Sequence, residues 1–448
     1  MKNKKNNIPI LILLTILLVG SQFGCVNFKN DPELKFSNDK IAEIDHVIET
    51  LFGNNQFSGT VLVSVKGKVI YKNAVGYANI KDSILNTCDT KFRIASFTKP
   101  FTAMLILQLV EDGVIELEGK LTKYLPEFTV KGGEKITIDQ LLTHTAGITG
   151  ESRIPNLIDI EKLHYSREEL LDCIMNYALV YTPGKDYEYS NFGFAILGLV
   201  IEKVTGKTYD EVIYEKICKP AGMKNTFSDV TDQTIENRAI GYTYDYFSGL
   251  EKSSYLNMSF CLGSGQLLST VEDLYLFDKA LYTNKFLSEE SKDLFFNKYG
   301  WRTVKYPYGK DSKRILSNNL EGSINGFQSH TQRIGKDSVL IVALRNVKEA
   351  VYENQIVIKW PSAIASPILS ILYNEEYNLT KKSGAFEVFK TLIESGQAES
   401  EKKYYEIIDT FQDKYYINEN EFVFFKKELI NKNMDTLANE YVEIRIND

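Results

Sequence analysis

The sequence predicts an α/β (α+β) domain followed by a small helical appendage. Two β-hairpins bracket a long helical middle in the first 360 residues. Alternating apolar residues flank Lys66-Gly67-Lys68 in the first hairpin and Gly335-Lys336-Asp337 in the second. Strands at both ends with helices between them predict one sheet that is closed by the two ends of the domain.

The predicted elements follow from the spacing of apolar residues. Strands are expected at 60–65, 69–71, 328–334 and 339–344, where apolar residues alternate or run together beside turn residues. Phe101, Met104, Leu105 and Leu109 recur at helical spacing and stop at Gly113. A second apolar helix is expected at 192–204, before a further glycine.

The C-terminal part of the chain changes character after residue 360. Helical periods occur at 386–394 and 401–442, with Tyr404, Tyr405, Ile408 and Phe411 on one face. Fewer than three helical hairpins rarely form a stable array, so we expect this part to pack on the main domain. We therefore divide the chain into a leader at 1–25, a tether at 26–39, a main domain at 40–360 and a helical appendage at 361–448.

The N-terminus has the pattern of an export signal. Lys2, Lys4 and Lys5 precede an apolar run at 8–19, and Gly24-Cys25 follows. Spanning a bilayer takes about twenty apolar residues, so a permanent transmembrane helix is the weaker interpretation. Cys25 resembles the lipidated cysteine of a bacterial lipobox, which predicts an exported protein anchored by lipid at the cell envelope. The alternative is a secreted protein with an incidental cysteine.

Composition excludes several classes of function. The 448 residues carry a net charge of -7 and have no long basic stripe, so nucleic acid is not an expected partner. Cys88, Cys173, Cys218 and Cys261 are widely separated, as are the four histidines, and neither set has metal-binding spacing. We therefore predict no metal and no cofactor.

The segment Ser96-Phe97-Thr98-Lys99 is the candidate for nucleophilic chemistry. A spacing of three on a helix brings the serine hydroxyl and the lysine amine to one face. A serine becomes a good nucleophile only when a neighbouring base takes its proton. The same four-residue pattern recurs at Ser37–Lys40 and Ser400–Lys403, so Ser96 alone could equally be a helix cap.

The order of several further motifs supports the catalytic interpretation. The segment 92–99 is followed by His144-Thr145-Ala146-Gly147-Ile148, by Pro183-Gly184, and by Tyr189-Ser190-Asn191-Phe192-Gly193. Segments 220–226 and 263–274 continue the series. The series resembles the serine β-lactamase-related family, which includes class C β-lactamases, penicillin-binding peptidases, D-aminopeptidases and esterases. The resemblance implies a mixed, mainly antiparallel sheet flanked by helices, with an all-helical subdomain and a cleft between them.

The resemblance also implies roles for individual residues. Ser96 would attack a carbonyl, Lys99 and Tyr189 would share its proton, and Asn191 would bind the lysine or the substrate amide. The oxyanion would be held by the backbone N–H groups of Ser96 and Ser323. Core packing is the alternative for Tyr189. His144 is interpreted as structural.

The third motif of the family departs from its usual pattern. Relatives carry Lys or His, any residue, then Gly on the strand that lines the cleft, and the register places Leu320-Glu321-Gly322 there. Leu320 has no charge, which argues against a substrate that presents a carboxylate at this position. Arg314 or His330 could compensate; otherwise Leu320 lines an apolar pocket, which suits an esterase better than a peptidase.

The sequence thus predicts a serine hydrolase that acts through a Ser96 acyl-enzyme on an ester or amide, including small molecules, peptides or a β-lactam. Two alternatives remain open. Leu320 could mark a binding or sensing protein that has lost turnover. The helices after residue 361 could instead carry the function, as a protein-binding appendage.

Overall fold

The computed structural model describes residues 37–245, 249–300, 302–349, 360–379 and 381–446. The predicted leader, Cys25 and most of the 26–39 tether lie outside the described residues. The first described element is the helix Asn38–Gly53, which Ser37 caps by accepting a hydrogen bond from the Lys40 backbone N–H. Across the described ranges, every helix is too short or too polar to cross a bilayer.

A six-stranded antiparallel sheet, called here the central sheet, organises the main domain. Its first strand by sequence, Gly59–Val65, pairs with Val339–Arg345 near the end of the domain, so both ends of the domain meet at its centre. This confirms the predicted closure of the sheet. In spatial order its strands are Arg302–Tyr308, Lys313–Ile324, Phe327–Ile334, Val339–Arg345, Gly59–Val65 and Lys68–Val75.

The first predicted hairpin has a two-residue turn. Lys66 and Gly67 both have positive φ, at 51° and 71°. Two consecutive residues with positive φ match the right-handed twist of the flanking strands. The second predicted hairpin, Phe327–Ile334 with Val339–Arg345, is also formed.

The central sheet separates two hydrophobic cores. Successive side chains of a strand point to opposite faces, so Leu62 enters one core while Val61 and Val63 enter the other. The larger core lies against the helical region that supplies the middle of the chain. The smaller one lies under the helices Asn38–Gly53 and Trp360–Leu372.

The helical region fills the sequence between the second and third strands of the central sheet. Two of its helices carry the residues of the site. We call Thr98–Glu111 the nucleophile helix and Asn191–Thr205 the asparagine helix. The other helices are Leu121–Tyr124, Ile138–Leu142, Leu157–Ile160, Arg167–Met175, Tyr209–Ile213, Lys219–Ala221, Val271–Leu281 and Glu289–Leu294.

Short strands outside the central sheet tie loops to the domain. Parallel pairing occurs in two of these groups, so the strand pairing of the described chain is mixed although mainly antiparallel. The short strands are Tyr77–Asn79, Ile84–Leu85, Phe92–Arg93, Phe227–Ser228, Tyr242–Asp245, Gly249–Lys252, Leu267–Ser269, Val347–Glu349, Lys382–Ser383 and Tyr415–Tyr416.

The C-terminal helices have a hydrophobic core of their own, and it begins later than residue 361. Ile364, Ile368 and Leu369 of helix Trp360–Leu372 are buried in the core of the central sheet, because that helix packs beside Asn38–Gly53. The separate core is formed by the helices Gly384–Ser395, Gln397–Asp409, Glu419–Asn431 and Asp435–Ile446. We call these four helices the C-terminal unit.

The C-terminal unit contacts the main domain. The ring of Phe386 lies edge-on to Tyr244, with 5.9 Å between the ring centroids. The Gln56 amide donates to the Lys381 carbonyl just before the unit, at 3.5 Å.

Candidate functional site

Ser96 follows a sharp change of chain direction. The short strand Phe92–Arg93 pairs with Leu267–Ser269, and Ala95 then takes a left-handed φ of 52°, which is uncommon for a residue with a side chain. Ala95 is buried, and the carbonyl of Ile94 accepts a hydrogen bond from the Ser329 hydroxyl at 2.7 Å. The turn 95–97 therefore presents Ser96 at the entrance of the nucleophile helix.

An ion-pair network anchors the strand that leads to Ser96. The buried carboxylate of Asp229 binds Arg93 and Arg238, with nitrogen–oxygen distances of 2.6 Å to each. Both oxygens of the carboxylate are engaged, as expected for a buried charge. The Arg93 guanidinium is therefore held by Asp229 close to the nucleophile.

Lys99 lies beneath Ser96 and is only 6% exposed. Its Nζ donates to Ser96 Oγ at 3.0 Å, to Asn191 Oδ1 at 2.5 Å and to the Ser264 carbonyl at 2.9 Å. An ammonium group has three N–H donors, and these three acceptors use all of them. The predicted spacing of Ser96 and Lys99 thus produces direct contact.

Tyr189 also contacts Ser96, so that Ser96, Lys99 and Tyr189 form one group. Its hydroxyl lies 2.7 Å from Ser96 Oγ, and the Lys99 Nζ lies 4.9 Å from the centre of its ring. The Tyr189 side chain is 42% exposed, whereas Phe192 is buried in the main core. Tyr189 therefore lies at the site. Phe192, and not Tyr189, packs in the core.

His144 supports the ring of Tyr189. The two ring centres are 4.6 Å apart, and Nδ1 of His144 accepts a hydrogen bond from the Ser190 backbone N–H at 3.2 Å. Burial, together with the nearby charge of Lys99, lowers the pKa of His144 to about 3. A histidine that is neutral at pH 7 and accepts through Nδ1 carries its proton on Nε2. This placement fits the structural role that the sequence suggested.

The strand Lys313–Ile324, called here the cleft strand, passes directly beside Ser96. A Cβ at Gly322 would lie 2.2 Å from the Ile94 carbonyl oxygen and 3.0 Å from the Ser96 nitrogen. A contact of 2.2 Å is far shorter than real Cβ contacts, so only glycine allows this approach. Ser323, the next residue, is exposed at the end of the strand.

Leu320 lies on the same face of the cleft strand as Gly322, because they are two residues apart. It is 8% exposed and belongs to the main hydrophobic core. The third-motif position is therefore apolar in three dimensions as well as in sequence.

Neither of the residues that could have compensated for Leu320 does so. Arg314 precedes Gly322 by eight residues along an extended strand, a distance of about 26 Å, and donates to the Lys305 carbonyl. His330 is fully buried on the opposite face of the sheet from Ser329, and its Nδ1 lies 3.6 Å from a Glu321 carboxylate oxygen. The suggestion of a compensating charge at these positions was wrong.

Glu151 is a site residue that sequence reasoning missed. Its Oε1 accepts a hydrogen bond from the Asn191 backbone N–H at 3.0 Å. Burial raises the pKa of Glu151, and Lys99 and Asn191 act in the opposite direction. Its only signal in the sequence is its position three residues after Ile148, in a segment that carries no motif. Ser264 belongs to the motif at 263–274, but the motif alone does not predict its contact with Lys99.

The described residues offer no ready metal site. Within the ranges given above, no three His, Cys, Asp or Glu side chains cluster suitably for a metal ion. Cys173, Cys218 and Cys261 are free thiols, and burial raises the pKa of Cys261 to about 12. The absence of a cofactor stays a prediction.

Comparison with known proteins finds relatives in sequence and in structure. The sequence profile described as Beta-lactamase matches residues 44–310. Penicillin-binding protein 4* of Bacillus subtilis (strain 168) is 29% identical over 373 residues, which cover 77% of this chain and 78% of that protein. Protein flp of Staphylococcus aureus (strain MW2) is 30% identical over 244 residues, which cover 54% of this chain and 48% of that protein.

Solved structures show the same fold. The D-amino acid amidase from Ochrobactrum anthropi SV3, complexed with L-phenylalanine amide, superimposes with a TM-score of 0.66 at 22% identity, covering 75% of this chain and 99% of that one. FmtA from Staphylococcus aureus gives a TM-score of 0.62 at 23% identity, covering 80% and 96% of the two chains.

The fold and the matched profile define a serine hydrolase with a β-lactamase/transpeptidase-like architecture. Because the profile spans more than half of the chain, the protein belongs to the β-lactamase family. Both the predicted fold class and the predicted family are confirmed.

Proposed function

We propose that the protein cleaves a neutral or cationic ester or amide through an acyl-enzyme on Ser96. The observation that carries the proposal is that Ser96 Oγ lies within hydrogen-bonding distance of two groups that take part in moving its proton. These are Tyr189 Oη at 2.7 Å and Lys99 Nζ at 3.0 Å. A nucleophile and base within hydrogen-bond reach, with a third group orienting the base, are the usual elements of covalent catalysis.

In the acylation step, Tyr189 acts as the phenolate beside the Lys99 ammonium. Ser96 Oγ attacks the carbonyl carbon as its proton passes to that phenolate oxygen. The backbone N–H groups of Ser96 and Ser323 hold the oxyanion, and loss of one such donor costs about 3 to 4 kcal/mol of barrier. The tyrosine proton then moves to the leaving alcohol or amine, and the carbon–oxygen or carbon–nitrogen bond breaks. Water repeats the sequence on the acyl-enzyme and releases an acid.

The substrate class follows from the third motif. Leu320 is buried and apolar, so the cleft strand offers no positive charge to a substrate carboxylate at that position. Penicillin and D-alanyl peptides present such a carboxylate, and we expect a β-lactam to be a poor substrate at best. An ester, or an amide of the kind named in the O. anthropi amidase, suits the site better.

The proposed setting is the bacterial cell envelope. The leader at 1–25 and the lipobox-like Cys25 support export and a lipid anchor to a membrane, and a related penicillin-binding protein is consistent with that location. Globomycin, which blocks lipoprotein signal cleavage, tests the anchor. Accumulation of the unprocessed precursor supports it, and normal secretion of a soluble protein contradicts it.

The experiment on function uses the purified chain with p-nitrophenyl acetate and benzylpenicillin. We expect turnover of the ester that is lost in Ser96→Ala, with acylation by penicillin much slower. Leu320→Lys should raise the ratio of penicillin to ester acylation rates, because it restores a cation facing the cleft. Folded wild-type protein with neither ester turnover nor a Ser96 adduct would instead favour the alternative, a binding or sensing protein that has lost turnover.

A protein-binding role for the C-terminal unit is a second proposal. Its separate hydrophobic core supports the idea of a module added to the hydrolase domain. Cross-linking in cells tests it. Complexes that form with the full chain and vanish without residues 381–448 support it, and identical complexes from both chains contradict it.

A further inference from the structure

Glu151 is connected to Ser96 through two intervening side chains. Its carboxylate binds the Asn191 backbone N–H at 3.0 Å, and the Asn191 side-chain oxygen accepts from Lys99 at 2.5 Å. Lys99 in turn donates to Ser96 Oγ. The chain Glu151–Asn191–Lys99–Ser96 therefore links an acid in the loop after Ile148 to the nucleophile.

The series of hydrogen bonds from Glu151 to Ser96 depends on the orientation of the Asn191 side-chain amide. An asparagine side chain has one acceptor oxygen and one NH₂ donor group, so a flip would turn the donor toward the Lys99 ammonium. Hydrogen bonding from the Asn191 side chain acts to lower the pKa of Glu151, against the effect of burial. A carboxylate only accepts hydrogen bonds. Glu151 thus favours the one orientation in which Oδ1 faces Lys99.

The charge of Lys99 also needs a counterpart. Its three acceptors, Ser96 Oγ, Asn191 Oδ1 and the Ser264 carbonyl, are all neutral. A buried ammonium is costly unless an opposite charge lies near it. Glu151 interacts electrostatically with Lys99 across Asn191.

The other titratable groups around this pair do not supply a negative charge at neutral pH. His144 and Cys261 both interact with the Lys99 charge. Burial keeps His144 unprotonated and Cys261 a thiol. Tyr189 contacts Lys99 through its ring. Glu188, in the segment before the asparagine helix, is paired with Arg153 at 2.9 Å.

We propose that Glu151 is a positioning residue, which orients Asn191 and balances the Lys99 ammonium, and thereby sets the pH range in which Ser96 is acylated. The inference rests on the proposed function, because it concerns the same Ser96 site. Glu151 does not touch the reacting atoms and is distinct from the residues that carry the proton.

The test measures the rate of Ser96 labelling by a fluorophosphonate as a function of pH, which requires no knowledge of the natural substrate. Glu151→Gln keeps the shape but removes the charge. Without the Glu151 charge, the uncompensated Lys99 ammonium should favour the phenolate form of Tyr189, and the acid limb of the profile should move to lower pH by about half a unit or more. Glu151→Asp keeps the charge but is too short for Asn191, so its labelling rate should fall about tenfold with a smaller shift.

The matched control is Glu188→Gln, which removes a carboxylate that binds Arg153, two residues after Glu151, and has no hydrogen bond to Asn191 among the described contacts. Its profile should coincide with that of the wild type. If Glu151 merely caps the asparagine helix, Glu151→Gln will lower the urea midpoint while its pH profile stays in place, and the proposal is overturned. If the wild-type protein is not labelled at Ser96 at all, the proposed function itself has failed.

Discussion

The hydroxyl of Tyr189 lies 2.7 Å from Ser96 Oγ, although 93 residues separate them in sequence. The contact joins the turn 95–97, just before the nucleophile helix, to the residues just before the asparagine helix. It defines where a substrate carbonyl must lie, since the Ser96 proton has to leave in the direction of Tyr189.

Replacing Tyr189 by phenylalanine tests this contact. The ring keeps its contact with His144, but the hydroxyl is lost, so kcat for ester hydrolysis should fall about 10²- to 10⁴-fold. Thermal unfolding should be nearly unchanged, because the hydroxyl is at the mouth of the site. Tyr187→Phe is the control, since its ring also faces His144, at 5.8 Å. Equal loss in both variants would contradict the role of the Tyr189 hydroxyl.

Gly322→Ala tests the close approach of the cleft strand to Ser96. The added methyl group would overlap the Ile94 carbonyl and press on the Ser96 nitrogen, so the strand must move. We expect a loss of about 1 to 3 kcal/mol in unfolding free energy, together with a large loss of acylation rate. Gly335→Ala is the control, because a Cβ there meets nothing within 4 Å. Unimpaired acylation in Gly322→Ala would show that the strand can shift without disturbing the oxyanion site.

His144 predicts a pH dependence of stability. Its pKa is about 3 in the folded protein and about 6.5 when unfolded, so the unfolded state binds the extra proton between these values. The stabilisation is complete above pH 6.5 and is lost as pH falls, by up to about 1.4 kcal/mol per unit.

His144→Asn is the matched variant, since asparagine tolerates the positive φ of 57° at this position. Urea unfolding between pH 7 and pH 4.5 should show a steeper loss of stability in the wild type than in the variant. Parallel curves would mean that His144 becomes protonated without unfolding.

Two truncations test the boundary of the C-terminal unit. A chain ending at residue 379 keeps helix Trp360–Leu372, so it should fold and hydrolyse esters at a rate close to that of the full chain. A chain ending at residue 359 loses the buried Ile364, Ile368 and Leu369, each worth about 2 to 5 kcal/mol, and should not fold. Loss of activity in the longer truncated chain would show that the C-terminal unit supports the site.

Much of the site could be predicted because its residues stand in ordered motifs. The Ser-x-x-Lys pattern alone was uninformative, and its copy at Ser37 is indeed a helix cap. What singled out Ser96 was the order of the segments around His144 and Tyr189. The resemblance supplied that order, since helical spacing brings together only Ser96 and Lys99.

The remaining features depend on tertiary contacts that have no local pattern. Glu151 begins a single 3-10 turn, Glu151–Arg153, and only the packing of that turn beside the asparagine helix brings its carboxylate to Asn191. His330 and Leu320 lie on opposite faces of the central sheet, which depends on their strand register. Helix Trp360–Leu372 looked like part of the appendage because its apolar face gives no indication of its partner.

The most direct test of the central claim is the intact mass of the protein after exposure to a fluorophosphonate, followed by peptide mapping. We expect one adduct per chain on Ser96 in the wild type, none in Ser96→Ala, and much slower labelling in Tyr189→Phe. A folded wild-type protein that gains no adduct, or that gains the same adduct when Ser96 is alanine, would contradict the central claim.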